Sequence, residues 1–234
     1  SLEMVFFEAI ANALDANATE IQIKVSVKAL NQPETLQFEI SDNGEGFTNE
    51  RYSKFSKLFD VEESTHKGLG RLVYLCYFED IQVNSYFDGT KRRTFDFSEG
   101  FEEEKFKVEN VNEQASGTTF KMTNYVLQKV AKSDYLQPKK IKQRVLEEFY
   151  ARLFLLKKQK KSIKIYISSV VDGNSSNAKI ENSDIPEFTA IELQSSLNLI
   201  DKFLLYYSIK EVDPEDSSLI AAISVDNRTV KVDL

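Results

Sequence analysis

Apolar and polar positions along this chain follow two periods, and the changes of period mark its elements. Over residues 3–16 apolar residues recur at helical spacing, with neither Gly nor Pro among them, which predicts a helix. Phe6, Ile10, Ala13 and Leu14 supply burying faces, while Glu8, Asn12 and Asp15 fall at i, i+4 and i+7 on one stripe. Asn17 tolerates the left-handed conformation and is placed to end the helix. Residues 20–28 then alternate with period two, with Ile21, Ile23, Val25 and Val27 on one face. A turn at Asn31-Gln32-Pro33-Glu34 leads into a second strand over 35–41, with Leu36, Phe38 and Ile40 facing inward. That strand runs out into the glycine-rich loop Asp42-Asn43-Gly44-Glu45-Gly46-Phe47.

Thr48 is a candidate N-cap for a short helix over 48–60, with Tyr52, Phe55 and Phe59 on one side. A polar, Gly-containing stretch, 61–71, separates it from 72–78, which reads as a buried helix. Residues 80–87 and 92–98 form a hairpin around Asp88-Gly89, and 105–111 and 117–123 give two more strands. A long amphipathic helix follows over 139–157, carrying Ile141, Val145, Phe149, Leu153 and Leu156 at helical spacing. It ends in Lys157-Lys158-Gln159-Lys160-Lys161, where cations suit the negative end of the helix dipole. Residues 162–171 form a strong strand, and 172–184 is the most loop-like stretch of the chain. Strand-like segments at 203–212, 218–225 and 228–234 follow, with turns at Asp213-Pro214 and Asp226-Asn227. A soft boundary near residue 172 divides a first domain, 1–171, from 172–234, the start of a second α/β unit.

With 234 residues there is room for one sizeable domain or for a domain with a small companion. The net charge of −7, 30 basic residues against 37 acidic, disfavours a general binder of nucleic acid or anionic membrane. A single cysteine, Cys76, excludes an intramolecular disulfide framework and fits a reducing, cytoplasmic compartment. Its setting in Leu-Val-Tyr-Leu-Cys-Tyr-Phe reads as core. The longest apolar runs are too short to span a bilayer, and no signal peptide is visible. The chain opens on its first helix and stops inside a strand-like pattern, as expected of a piece of a longer protein.

A carboxylate and a carboxamide on one helical stripe, close to an Asp-Asn-Gly-x-Gly turn, point to a nucleotide-and-magnesium pocket rather than a wet helix surface. Strands, then helices, then strands again suggest an α+β fold, a two-layer α/β sandwich with helices on one face of a mixed sheet. Four motifs stand in order: E-x-x-x-N-x-x-D-A from Glu8 to Ala16, D-N-G-x-G from Asp42 to Gly46, K-G-L-G-R from Lys67 to Arg71, and a strand opened by Gly117-Thr118. Together they resemble the GHKL ATPase superfamily, which takes in gyrase, the ninety-kilodalton heat-shock chaperone, histidine kinases and MutL. The resemblance covers roughly residues 3–125 and implies the family's Bergerat-type ATP-binding fold. The helix-to-strand passage DANATEIQI is especially similar to that of MutL.

The resemblance implies roles residue by residue. Glu8 matches the general base that orients and deprotonates water for in-line attack on a γ-phosphate. Asn12 matches the Mg²⁺ ligand, its amide oxygen being a hard donor. Asp15 lines the same pocket. Asp42 matches the acid that accepts a hydrogen bond from the adenine amino group, and Thr118 the threonine beside it. Asn43, Gly44 and Gly46 let backbone approach the ligand, while Phe47 either walls the pocket or packs in the core. Lys67, Gly68, Leu69, Gly70 and Arg71 form a phosphate box of short, kinase-like form, with backbone N–H groups at a helix N-terminus and flanking positive charge. Residues 47–67 make a short lid, which holds His66, read as a surface residue. The family analogy adds ATP-driven homodimerisation acting on a protein or nucleic-acid client. Where the family hydrolyses, a transducer lysine or arginine reaches the γ-phosphate, and Lys202, Lys210, Arg228 and Lys231 lie in the corresponding region. The expectation is therefore Mg²⁺-dependent ATP binding and hydrolysis. Two alternatives stay open: a histidine-kinase-like phosphotransfer domain and a non-hydrolysing nucleotide-sensing module.

Overall fold

Helix α1 (Glu3–Asp15) forms where the helical period is strongest, and Val5, Phe6, Ala9, Ile10, Ala13 and Leu14 are all buried. Asn17, at φ +58°, ends it in the left-handed conformation its side chain tolerates. The computed structural model describes residues 1–57, 70–130, 133–185, 187–194, 202–208, 221–225 and 228–232. The chain divides into two compact units, the first built from 1–145 with 163–180 and the second from 146–162 with 181–234.

The first unit is an α+β structure on one eight-stranded mixed sheet. Its strands are β1 (Glu20–Val27), β2 (Gln37–Asp42), β3 (Phe78–Phe87), β4 (Lys91–Phe97), β5 (Lys107–Asn110), β6 (Gly117–Tyr125), β7 (Lys164–Val171) and β8 (Asn174–Ile180). Their spatial order is β5-β4-β3-β6-β2-β1-β7-β8. The β1–β7 pair is parallel and the rest antiparallel. Alternation decides which side chains face inward: Ile21, Ile23, Val25 and Val27 from β1 and Phe38 and Ile40 from β2 are buried. Helix α1 meets this face through Phe6, whose ring stacks on Phe38 at 4.9 Å, and Phe38 packs in turn on Phe78 at 5.2 Å. A second cluster joins helix α2 (Asn49–Ser56) to the sheet through Tyr52, Phe55, Phe95, Phe97 and Phe120. Phe47 belongs to this cluster, so it packs in the core.

Three expectations need correction. The stretch 72–78 is not one buried helix: α3 (Leu72–Leu75) is a single turn, and Phe78 already opens β3. Cys76, expected in the core, is exposed. Residues 172–184 are not mainly loop, because Asp172 and Gly173, at φ +50° and +76°, make a tight turn into β8. The strand was hidden because it is the sheet edge: Asn174, Ser175, Ser176 and Asn177 are exposed and carry no apolar alternation. Phe59 and His66 lie outside the described residues.

In the second unit, residues 146–158 complete α4 (Pro138–Lys158), and Lys160 closes it at φ +61°. There Phe154 packs on Phe188 and Tyr206, at 4.8 and 5.5 Å. Two hairpins follow, β9 (Thr189–Gln194) with β10 (Lys202–Tyr207) and β11 (Ala221–Val225) with β12 (Arg228–Val232). Lys202 lies on β10 and Arg228 and Lys231 on β12, while Lys210 falls outside the described residues. Among the described residues no helix is long and apolar enough to cross a membrane.

Because Phe38 is fully buried between Phe6 and Phe78, Phe38→Ala is expected to cost about 3–5 kcal/mol of stability. Urea unfolding checks this, and a loss below about 1 kcal/mol would mean that α1 is not seated on this face.

Candidate functional site

The helical stripe of α1 runs from interior to surface. Glu8 is 4% exposed, Asn12 is half-buried and Asp15 is exposed. The Asn12 amide nitrogen donates to Glu8 Oε1 and to the Tyr74 hydroxyl, both at 3.4 Å. This orients the amide oxygen away from both partners, and no described residue donates to it. Gly70 closes over the carboxylate: a Cβ there would stand 2.2 Å from Glu8 Oε2. Only a residue without a side chain fits while Glu8 keeps this position.

The Asp-Asn-Gly-x-Gly turn is sewn to the far end of α1. Asn43 Oδ1 accepts from the backbone N–H of Thr19 and of Glu20, at 2.8 and 2.9 Å, and Asn43 Nδ2 donates to Thr19 Oγ1. The Glu45 N–H donates to the Ala16 carbonyl, against which Gly44 also lies. Arg51 bonds the Glu45 carboxylate and the Asp15 carbonyl. Asn43 is therefore a brace. Gly46 sits at φ +72°, and a Cβ there would meet the Tyr86 carbonyl at 2.1 Å, so glycine is required twice over.

Asp42 is the inward-facing end of β2, and strand register sets its neighbours. Asp42 pairs with Thr118 on β6, Thr118 with Ser85 on β3, and Ser85 with Arg93 on β4. Paired residues face the same side, so a polar row crosses an otherwise apolar face. The Ser85 and Thr118 hydroxyls lie 2.9 Å apart, and Ser85 accepts the Phe47 N–H at 2.7 Å. Arg93, 2% exposed, donates to the carbonyls of Phe47 and Thr48 and to Asn49 Oδ1, with Tyr52, Phe87 and Phe106 around its guanidinium.

A family model described as histidine kinase-, DNA gyrase B- and HSP90-like ATPase matches residues 1–124, more than half the chain. The chain belongs to the GHKL ATPase superfamily. Among solved structures, the ATPase domain of Aquifex aeolicus MutL complexed with ADP is similar at a TM-score of 0.51 and 15% identity, over 97% of this chain and 81% of that one. The ATPase domain of Thermus thermophilus gyrase B with an aminocoumarin gives 0.49 and 17%, over 82% of this chain and 53% of that one. The N-terminal domain of a DNA repair protein gives 0.46 and 16%, over 80% of this chain, which spans 59% of that domain's length. The MutL likeness shows the fold. No curated protein matches the chain in sequence.

On this GHKL fold, Glu8 and Asn12 lie together on α1, and Asp42 and Thr118 together at the ends of β2 and β6. The two groups are linked through Ala16, Gly44 and Asn43. Lys67, Gly68 and Leu69 lie outside the described residues. Arg71 is buried, with its guanidinium on the carbonyls of Lys54 and Lys57 at 3.1 and 2.8 Å. Sequence reading missed Ser85, Arg93 and Tyr74. The first two carried a signal, being polar residues in the inward register of Ile81-x-Val83-x-Ser85-x-Phe87 and Arg93-x-Phe95-x-Phe97.

Burial pushes the Asp42 carboxyl from its ordinary 3.8 up to about 6, against the opposing pull of the Gly44 and Thr118 N–H groups and the Arg51 charge. The folded domain thus holds a proton here that the unfolded chain releases. This contribution to stability is complete below the ordinary value and is lost as pH rises through about 6. Accordingly, raising the pH from 5 to 7.5 should favour Asp42→Asn over the parent in urea unfolding. Parallel pH profiles for the two proteins would contradict it.

Proposed function

We propose that this domain binds ATP with Mg²⁺ and hydrolyses it. One observation carries the reading: a buried carboxylate, Glu8, lies one helical turn from a carboxamide, Asn12, whose nitrogen is engaged and whose oxygen accepts from no described residue. A carboxylate in this position accepts a proton from an attacking water, and the neighbouring amide nitrogen steadies it. The amide oxygen of Asn12, a hard donor, suits Mg²⁺, which commonly takes one or two protein ligands and completes its shell with phosphate oxygens and water. Such an ion would neutralise charge on the phosphates. At the other end of the site, Asp42 accepts the adenine amino group and Thr118 borders it. An acid there discriminates strongly, because a base without the amino donor leaves it unpaired.

Eight residues of helix separate Glu8 from Ala16, a rise of about 12 Å, and Ala16 abuts Gly44 beside Asp42. That length scale suits a nucleotide laid along α1, base at the Asp-Asn-Gly turn and phosphates toward Glu8. Proposed with it, on family analogy, are a short lid beginning at Phe47, an ATP-dependent homodimer and a protein or nucleic-acid client. Also proposed is that the C-terminal region, 172–234, starts a transducer-like unit, its first strand β8 being shared with the sheet of the first unit.

Glu8→Ala is expected to lower kcat for ATP at least about 100-fold while ATP affinity stays within about threefold. Asp42→Asn is expected to weaken ATP binding by about tenfold or more. Release of ADP from ATP and calorimetric titration read these out. Undiminished turnover in Glu8→Ala removes the base assignment. Transfer of labelled phosphate to the protein in place of its release would mean phosphotransfer.

A further inference from the structure

Arg71 stands in the motif that the family uses for phosphates, yet its side chain is turned into the protein. It is 5% exposed. Its Nη1 and Nη2 donate to the carbonyls of Lys54 and Lys57, at the carbonyl end of α2, and its guanidinium lies over the Phe55 ring at 5.0 Å. Among the described residues its Nε, also buried, has no hydrogen-bond partner. Such a group is retained at a cost, since burying a charge and leaving a donor unpaired are both unfavourable. What it holds is the adjacent residue, Gly70, whose Cα is pressed so closely on Glu8 that a Cβ would fall within 2.4 Å of Oε1, Oε2 and Cδ. The two groups also interact electrostatically: burial lowers the Arg71 pKa, and the nearby Glu8 charge opposes that fall.

We propose that Arg71 is a positioning residue for Glu8: anchored on the end of α2, it fixes Gly70 against the carboxylate and sets a buried positive charge beside it, and it does not serve as a phosphate ligand. The proposal rests on the hydrolytic reading of Glu8. Arginine suits the task because its planar fork spans two carbonyl oxygens while its face lies on an aromatic ring. A lysine keeps the charge and loses the fork.

Two measurements test it. In a double-mutant cycle of Glu8→Gln and Arg71→Met, followed by urea unfolding, the effects on the unfolding constant should be coupled by about fivefold or more. Additivity to within about twofold overturns the proposal. If Arg71→Met does not fold, Arg71→Lys replaces it in the same cycle. This arm does not depend on turnover, so a wild-type domain that releases no ADP removes the hydrolytic reading while the cycle still judges the link between Arg71 and Glu8. In the second arm, Arg71→Lys should lower kcat about tenfold or more while the Kd for ADP stays within about threefold. An unchanged kcat, or ADP binding weakened in step with kcat as a phosphate ligand requires, overturns it.

Discussion

Strand register is the constraint on which the site depends. On the inner face of the sheet, Asp42, Thr118, Ser85 and Arg93 occupy successive strands in one paired row, at one end of a face otherwise filled by Ile, Val, Phe and Met. A slip of one residue in β2 would turn Asp42 outward together with Phe38 and Ile40, so burying the core and aiming the acid are the same event. The apolar alternation that makes the strand stable therefore also places a carboxylate at its end, where water is scarce enough to push its pKa up to about 6. Few devices combine packing and chemistry so directly.

Two further connections make a site from that row. Asn43 and Gly44 tie the end of β2 to the end of α1, so that the face carrying Glu8 and Asn12 starts where the acid ends. Arg93 and Ser85 hold the chain from Phe47 to Asn49, fixing where α2 begins. Buried polar groups are costly unless bonded, and most of those here bond backbone atoms of the loops around the site. The polar interior of this domain thus orders loops, while its aromatic interior supplies cohesion.

Much of this was legible in the sequence, for physical reasons. The period of α1 and the alternation of β1 and β2 are strong because those elements bury one face, and the Asp-Asn-Gly-x-Gly turn is legible because its glycines stand where a Cβ would come within 3 Å of neighbouring backbone. What escaped lacks that imprint. Edge strand β8 needs no apolar face, and α3 is one turn, too short to show a period. Arg71 reads from the sequence as positive charge flanking the phosphate box, and composition cannot show that its fork lies on two carbonyls. Ser85 and Arg93 were visible only as polar residues in inward register, a signal that acquires meaning once β3 and β4 are known to flank β6 and one another.

The most direct test of the account is a crystal structure of this domain with Mg²⁺ and a non-hydrolysable ATP analogue. The account predicts the adenine amino nitrogen at about 2.9 Å from the Asp42 carboxylate, and Asn12 Oδ1 at about 2.1 Å from the metal, with Glu8 facing the γ-phosphate. A nucleotide bound elsewhere, or one whose phosphates lie away from the Glu8–Asn12 face of α1, would contradict it.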